Sequence, residues 1–187
     1  VPQGPRPAAF EEEYEPRIYL RGEVQTRRSN WHDLFNALAW RAFPETKAEL
    51  NRQHYLAATA GSSHGAAQNR GTARDVLTLF DESGVAVVCA DEELADLLRG
   101  RRWKELFWRR RDQVAERLKL FLFGHSLHEK ALRPYIGLTG KGALFPAEEG
   151  FLALPLEDQL KALDRQMAAR FSDPGSLRST ADLCPVP

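Results

Sequence analysis

Two short stretches of this sequence carry side chains able to bind a metal ion or move protons. The first holds His32, Asp33 and Asn36, in the string Asn30-Trp-His-Asp-Leu-Phe-Asn. Residues three and four apart share one flank of a helix, so the three polar groups gather beside an otherwise apolar segment. Polar groups in such surroundings need partners. A histidine oriented by a carboxylate serves as a general base or a metal ligand. The plainer role is an N-terminal capping cluster, since Asn and Asp often cap helices. The second stretch is His125, His128 and Glu129, directly after Gly124. His125 and Glu129 are one turn apart and face the same way on a helix. Their order, His-x-x-His-Glu, is neither the His-Glu-x-x-His of zinc proteases nor its inverted form. Ligands from one helix make a half-site for a divalent metal, to be completed from elsewhere in the chain. Here the plainer role is a solvated His–Glu pair one helical turn apart.

Other polar groups are weaker candidates. Asp75, beside Arg74, leads into an apolar run and could support a catalytic group, while Asp81 and Glu82 read as turn formers. Arg99, Arg101, Arg102, Lys104 and Arg109 to Arg111 cluster around Trp103, Phe107 and Trp108. Cations beside exposed aromatics grip phosphates and stack on bases, so RNA or another anionic partner is one reading of this face. Aromatics at helical spacing are also core anchors, with arginine stems laid over them, which makes the same stretch a solvated face. Lys plus Arg and Asp plus Glu are 26 each, leaving no net charge to steer the chain toward nucleic acid or anionic lipid. The full phosphate-loop pattern is absent, since Gly137-Leu-Thr-Gly-Lys-Gly lacks its spacing. Two cysteines, Cys89 and Cys184, are too few for a cysteine-rich zinc site and point to a reducing compartment.

These side chains must be positioned by local elements that the sequence suggests. An extended lead-in covers about residues 1–16, and a short edge strand is expected over 17–24. Asn30 or Ser29 caps a helix in which Trp31, Phe35, Leu38 and Ala42 recur at helical spacing. Pro44 then starts a second helix running to about Ala58, followed by a small-residue loop over 60–71. Val76-Leu-Thr-Leu-Phe and Val85-Ala-Val-Val-Cys flank Asp-Glu-Ser-Gly84, which reads as a central β-hairpin over 76–89. Asp91 caps a helix that stops at Gly100, and a helical stretch over 103–119 follows. Residues 118–123 suit either a buried strand or the end of that helix. A helix is expected over 126–132, a loop over 137–142, an amphipathic helix over 156–171 and a loose tail from 172 to 187. Together these predict a single α+β domain over 1–187, with helices packed around a small, mainly antiparallel sheet containing the 76–89 hairpin.

Four strings in order resemble a bacterial family known as domain of unknown function 3025. They are Asn30-Trp-His-Asp-Leu-Phe-Asn-Ala-Leu-Ala-Trp-Arg-Ala-Phe-Pro-Glu-Thr-Lys, Arg74-Asp-Val-Leu-Thr-Leu-Phe-Asp-Glu-Ser-Gly, Trp103-Lys-Glu-Leu-Phe-Trp and Phe123-Gly-His-Ser-Leu-His-Glu-Lys. His128 stands at a position that is aromatic in that family. The resemblance spans roughly Tyr14 to Phe145 and brings no activity with it.

At 187 residues the chain is long enough to bury a core without disulfides, and 43% hydrophobic with 28% charged residues is a globular composition. No run approaches the roughly 18 apolar residues that would span a bilayer. The opening Val-Pro-Gln-Gly-Pro-Arg-Pro is not a secretory signal, so the cytoplasm is the expected compartment. The leading functional expectation is an enzyme doing hydrolytic or metal-assisted chemistry on a small molecule. Its pocket comprises His32, Asp33, Asn36, His125 and Glu129, with Asp75 in support, and His32, His125 and Glu129 are the metal ligands. The alternatives are an anion- or nucleic-acid-binding module using Arg99 to Arg111, and a partner-binding protein without chemistry.

Overall fold

The structure, a computed structural model, describes residues 1–4, 9–59, 67–173, 175–176 and 179–187, with backbone alone for 67–74. Among them a four-stranded sheet is ordered β2-β1-β3-β4. Its strands are β1 (Gly84–Cys89), β2 (Leu118–Leu122), β3 (Gly140–Pro146) and β4 (Cys184–Val186). β1 runs antiparallel to β2 and parallel to β3, and β3 runs antiparallel to β4, so the α+β fold is built on a mixed sheet.

β1 is buried along its whole length, as a strand covered on both faces must be. On one face Ala86 and Val88 pack with Phe43, Leu50, Val76, Phe80, Leu163 and Met167. These side chains come from α3 (Pro44–Thr59), α4 (Ala67–Ser83), α8 (Leu156–Ser172) and the residue just before α3. On the other face Val85 and Val87 meet Leu94, Leu97 and Leu98 of α5 (Glu92–Arg99), together with Leu106. α2 (Trp31–Ala42) and α7 (His125–Ala131) lie against each other. α1 (Tyr14–Arg21) packs on α3, and α6 (Arg111–Arg117) leads into β2.

The helix boundaries follow from their caps. Asn30 accepts the Asp33 N–H at the start of α2, and Asp91 accepts from Glu93 and Leu94 at the start of α5. Pro44 opens α3, whose next two N–H groups, of Glu45 and Thr46, donate to the carboxylate of Asp164 on α8 at 2.9 and 2.8 Å. A buried carboxylate from another helix thus caps α3 and fixes its first turn against α8.

The structure corrects several expectations. There is no hairpin over 76–89: the chain is helical to Ser83 and becomes strand only at Gly84. Val76, Leu77 and Phe80 are buried while Thr78 is exposed, which is helical spacing. Five apolar residues alone do not separate strand from helix, and the preceding residues extend the helix. Asp81-Glu-Ser forms the end of α4, and β1 finds its partners in β2 and β3. Residues 17–24 hold most of α1, ended by Gly22 at φ 67°, where glycine carries no Cβ penalty. Of the stretch 118–123, Leu118–Leu122 is strand β2. β3 begins inside the expected 137–142 loop, and the segment expected as a loose tail returns to the sheet as β4. Helix α7 begins at His125, and the 60–71 loop lies partly outside the described residues, with α4 starting at Ala67. Among the described residues, no helix is long and apolar enough to cross a membrane, and Cys89 and Cys184 are free thiols.

Candidate metal centre

The β1–β2 pairing sets up the site. Val85 pairs with Leu122, and counting three residues outward on each strand reaches Glu82 and His125. Gly124 lets the two chains meet closely. A Cβ there would lie 2.5 Å from the Gly84 nitrogen and 2.6 Å from the Glu82 carbonyl oxygen, so a larger residue would push the segments apart. His125 therefore starts α7 directly beside the last turn of α4, where Asp81 and Glu82 project. α2 packs on α7 and brings His32 over the same spot.

The two imidazoles meet edge to face, with ring centres 4.5 Å apart and planes at 75°. Their Nε2 atoms are 3.0 Å apart. Glu82 Oε1 lies 3.5 Å from His125 Nε2. One ligand atom each from His32, Glu82 and His125 falls within 4.8 Å of the others. Zinc-like ions hold nitrogen and oxygen ligands at about 2.0–2.2 Å in a tetrahedron, which spaces ligand atoms by roughly 3.4 Å. The observed separations bracket that figure.

The outer nitrogens differ. His32 Nδ1 is 3.1 Å from Glu129 Oε2, so the carboxylate holds the proton on Nδ1 and leaves a lone pair on the inward Nε2. His125 is only 4% exposed, and its Nδ1 is buried without a hydrogen-bond partner. The Asp81 Oδ2 atom is 3.8 Å away, too far to bond. Leaving such a group unsatisfied costs about 1–3 kcal/mol. With both rings neutral, no choice of tautomers suits this geometry. If His125 donates from Nε2 to His32, a bare lone pair faces Asp81 at Nδ1. If it is protonated on Nδ1, two lone pairs confront each other at 3.0 Å. A cation between the rings, or a proton added to them, removes the conflict.

The surrounding charge points the same way. Among the described residues Asp81, Glu82 and Glu129 face the two rings, and Lys47 pairs with Asp81 Oδ1 at 2.6 Å. Among the described residues, carboxylates thus gather around the two rings, and such a setting favours a cation. Glu82 is held below the ordinary carboxylate range, foremost by the imidazole of His125 facing it, against the opposing effect of burial.

Behind Asp81 lies a polar strut. Lys47 is 4% exposed, and its Nζ donates to Asn36 Oδ1 at 2.9 Å as well as to Asp81. The Asn36 amide in turn donates to the Tyr14 hydroxyl at 2.7 Å. Burial, foremost, pushes the Tyr14 phenol up to about 12, the nearby carboxylates adding to it and the Asn36 bond opposing it. Asn36 is thus separated from the histidines by Lys47 and Asp81.

The other expected residues fall as follows. Asp33 accepts the Arg27 backbone N–H at 2.5 Å and its guanidinium at 3.0 and 2.8 Å, so it clamps the turn before α2. The Arg27 guanidinium, foremost, holds the Asp33 carboxyl below its ordinary range. Asp75 is exposed on α4, two helical turns before Glu82, or about 10 Å along the axis. Glu129 meets His32 from behind, away from the three converging atoms. His128 Nδ1 donates to the Gly124 carbonyl at 2.9 Å, and its ring stacks on Phe35 at 5.7 Å. That stacking is what an aromatic residue would do there.

Sequence reasoning missed Lys47, Tyr14 and the ligand-like placement of Glu82. One signal was present: Lys47 and Asn51 share an inward stripe of α3 with Leu50, and both are buried. Asn51 Nδ2 donates to the Glu15 carbonyl at 3.0 Å.

The basic stretch looks different. Arg99 pairs with Glu92 and Asp96, Arg109 with Glu105, Arg110 with Glu93 and Arg111 with Asp112. Trp108 is exposed, and the buried anchor of this stretch is Leu106, in a π-helical turn over Lys104–Arg109.

Fold and site together define an α+β protein with two histidines and a carboxylate converging at one end of its sheet. The chain belongs to the family described as Protein of unknown function (DUF3025), whose model matches residues 1–187. No curated protein and no solved structure matches it.

Proposed function

We propose that this protein is a metal-assisted hydrolase in which His32, His125 and Glu82 hold one divalent ion. The observation that carries the reading is the close approach of two imidazole Nε2 atoms at 3.0 Å with a carboxylate oxygen beside them. Two histidines and one carboxylate are a known ligand set for catalytic zinc, and three protein ligands leave a position open for water or substrate. A bound ion of this kind makes water a nucleophile at neutral pH and polarises a carbonyl or phosphoryl oxygen. Glu129 orients His32 in this scheme. Both His32 and Glu129 keep solvent-facing surface, at 30% and 44% of their side chains, so a small substrate can reach the ion from the α2–α7 side.

The test starts from protein stripped with a chelator and titrated with Zn²⁺. One ion bound per chain is expected, with binding lost in both His32→Ala and His125→Ala. The loaded protein is then assayed on simple carboxylic and phosphate esters, where turnover should require the ion. Absence of Zn²⁺, Mn²⁺ and Fe²⁺ binding, or binding unchanged in both variants, refutes the metal reading.

A further inference from the structure

We infer that Asp81, held in place by Lys47, is the positioning residue for His125, an inference that rests on the metal centre proposed above. A histidine that ligates through Nε2 must carry its proton on Nδ1, and that N–H needs an acceptor to fix the ring. For His32 the acceptor is already in contact, Glu129 at 3.1 Å. For His125 the ring nitrogen is buried and bare, and the nearest carboxylate oxygen is Asp81 Oδ2 at 3.8 Å. The other groups facing this ring are His32 and Glu82, both on the Nε2 side where the ion would sit. Closing the remaining gap, by less than about 1 Å, brings Asp81 into ordinary hydrogen-bond range.

Asp81 is built to wait there. Its Oδ1 is pinned by the Lys47 ammonium at 2.6 Å, which leaves Oδ2 directed at His125. Lys47 is in turn fixed by Asn36, and Asn36 by the Tyr14 hydroxyl, so side chains of α1, α2 and α3 all bear on the orientation of one carboxylate of α4. A buried lysine with two defined acceptors is costly to place and loses its partner if Asp81 is removed. Each ligand histidine is then backed by its own carboxylate, one half-exposed and one partly buried and cation-bound.

Co²⁺ titration of the metal-free protein, followed by visible absorption, tests the assignment. Asp81→Asn is expected to weaken Co²⁺ binding roughly 10–100-fold and to alter the absorption bands, as loss of such an outer partner does elsewhere. Asp81→Glu, which keeps a carboxylate, should recover part of the loss. Asp112→Asn, on the arginine-rich face, should bind like the wild type. Unchanged affinity and spectrum in Asp81→Asn would overturn the role of Asp81 while leaving the metal centre standing. No Co²⁺ or Zn²⁺ binding by the wild type would overturn both. If Asp81→Asn does not fold, nitrogen-15 spectra of Zn²⁺-loaded wild-type protein decide. A slowly exchanging proton on His125 Nδ1 supports the inference, and a bare or freely exchanging Nδ1 overturns it.

Discussion

His32 finds Glu129 across 97 residues of sequence, whereas Arg109 finds Glu105 within its own helical turn. Both regions are crowded with charge, but they are assembled differently. Around His32 and His125 the partners come from α2, α3, α4 and α7, several are buried, and one nitrogen is left bare. Along Arg99 to Arg111 almost every pair is local and open to solvent. Local exposed pairs cost little to form and contribute little. Buried polar groups gathered from distant elements are expensive, and that cost is what singles out this region as the candidate site.

The sharpest way to break this contrast is to remove one charge from each region. Lys47→Met leaves Asp81 and Asn36 without their cation, and urea denaturation should show a loss of roughly 3 kcal/mol. A loss near zero would place Lys47 among the solvated pairs. A smaller effect concerns Asp33, whose carboxyl is held low by Arg27. A depressed carboxyl contributes stability above its unfolded value of about 3.9 and surrenders it as pH falls through the folded one. Melting temperatures between pH 6 and pH 2.5 should therefore drop less steeply in Asp33→Asn than in the wild type, and equal slopes would remove Arg27–Asp33 from the stabilising pairs. The smallest effect belongs to the arginine-rich face. Arg99→Gln, Arg109→Gln and Arg110→Gln should each change stability by less than about 0.5 kcal/mol. They should leave Zn²⁺ binding as it was. Tight RNA binding that these substitutions abolish would instead make that face a second functional surface.

Elements with a chemical start or stop were readable from sequence. Asn30, Pro44 and Asp91 open helices where expected, and Gly100 closes one. Elements identified by apolar runs alone were not, because Val76 to Phe80 suits both a strand and a buried helix face. That one ambiguity also hid half the site. While Asp81-Glu-Ser-Gly reads as a hairpin turn, its carboxylates point to solvent, and only as the end of α4 do they reach His125. His32, His125 and Glu129 were legible because histidines beside capping residues are conspicuous, and folding does bring them together. Lys47 was not, since a lysine in a helix is nearly always at the surface.

The alignment of β1 with β2 has a consequence for how the molecule matures. A slip of one residue between these strands would turn one strand's side chains over and carry Glu82 away from His125 by about 3.3 Å. An ion that requires both groups would reward a single alignment and penalise its neighbours. Correct pairing of β1 with β2 is therefore a condition for whatever chemistry the three converging atoms support.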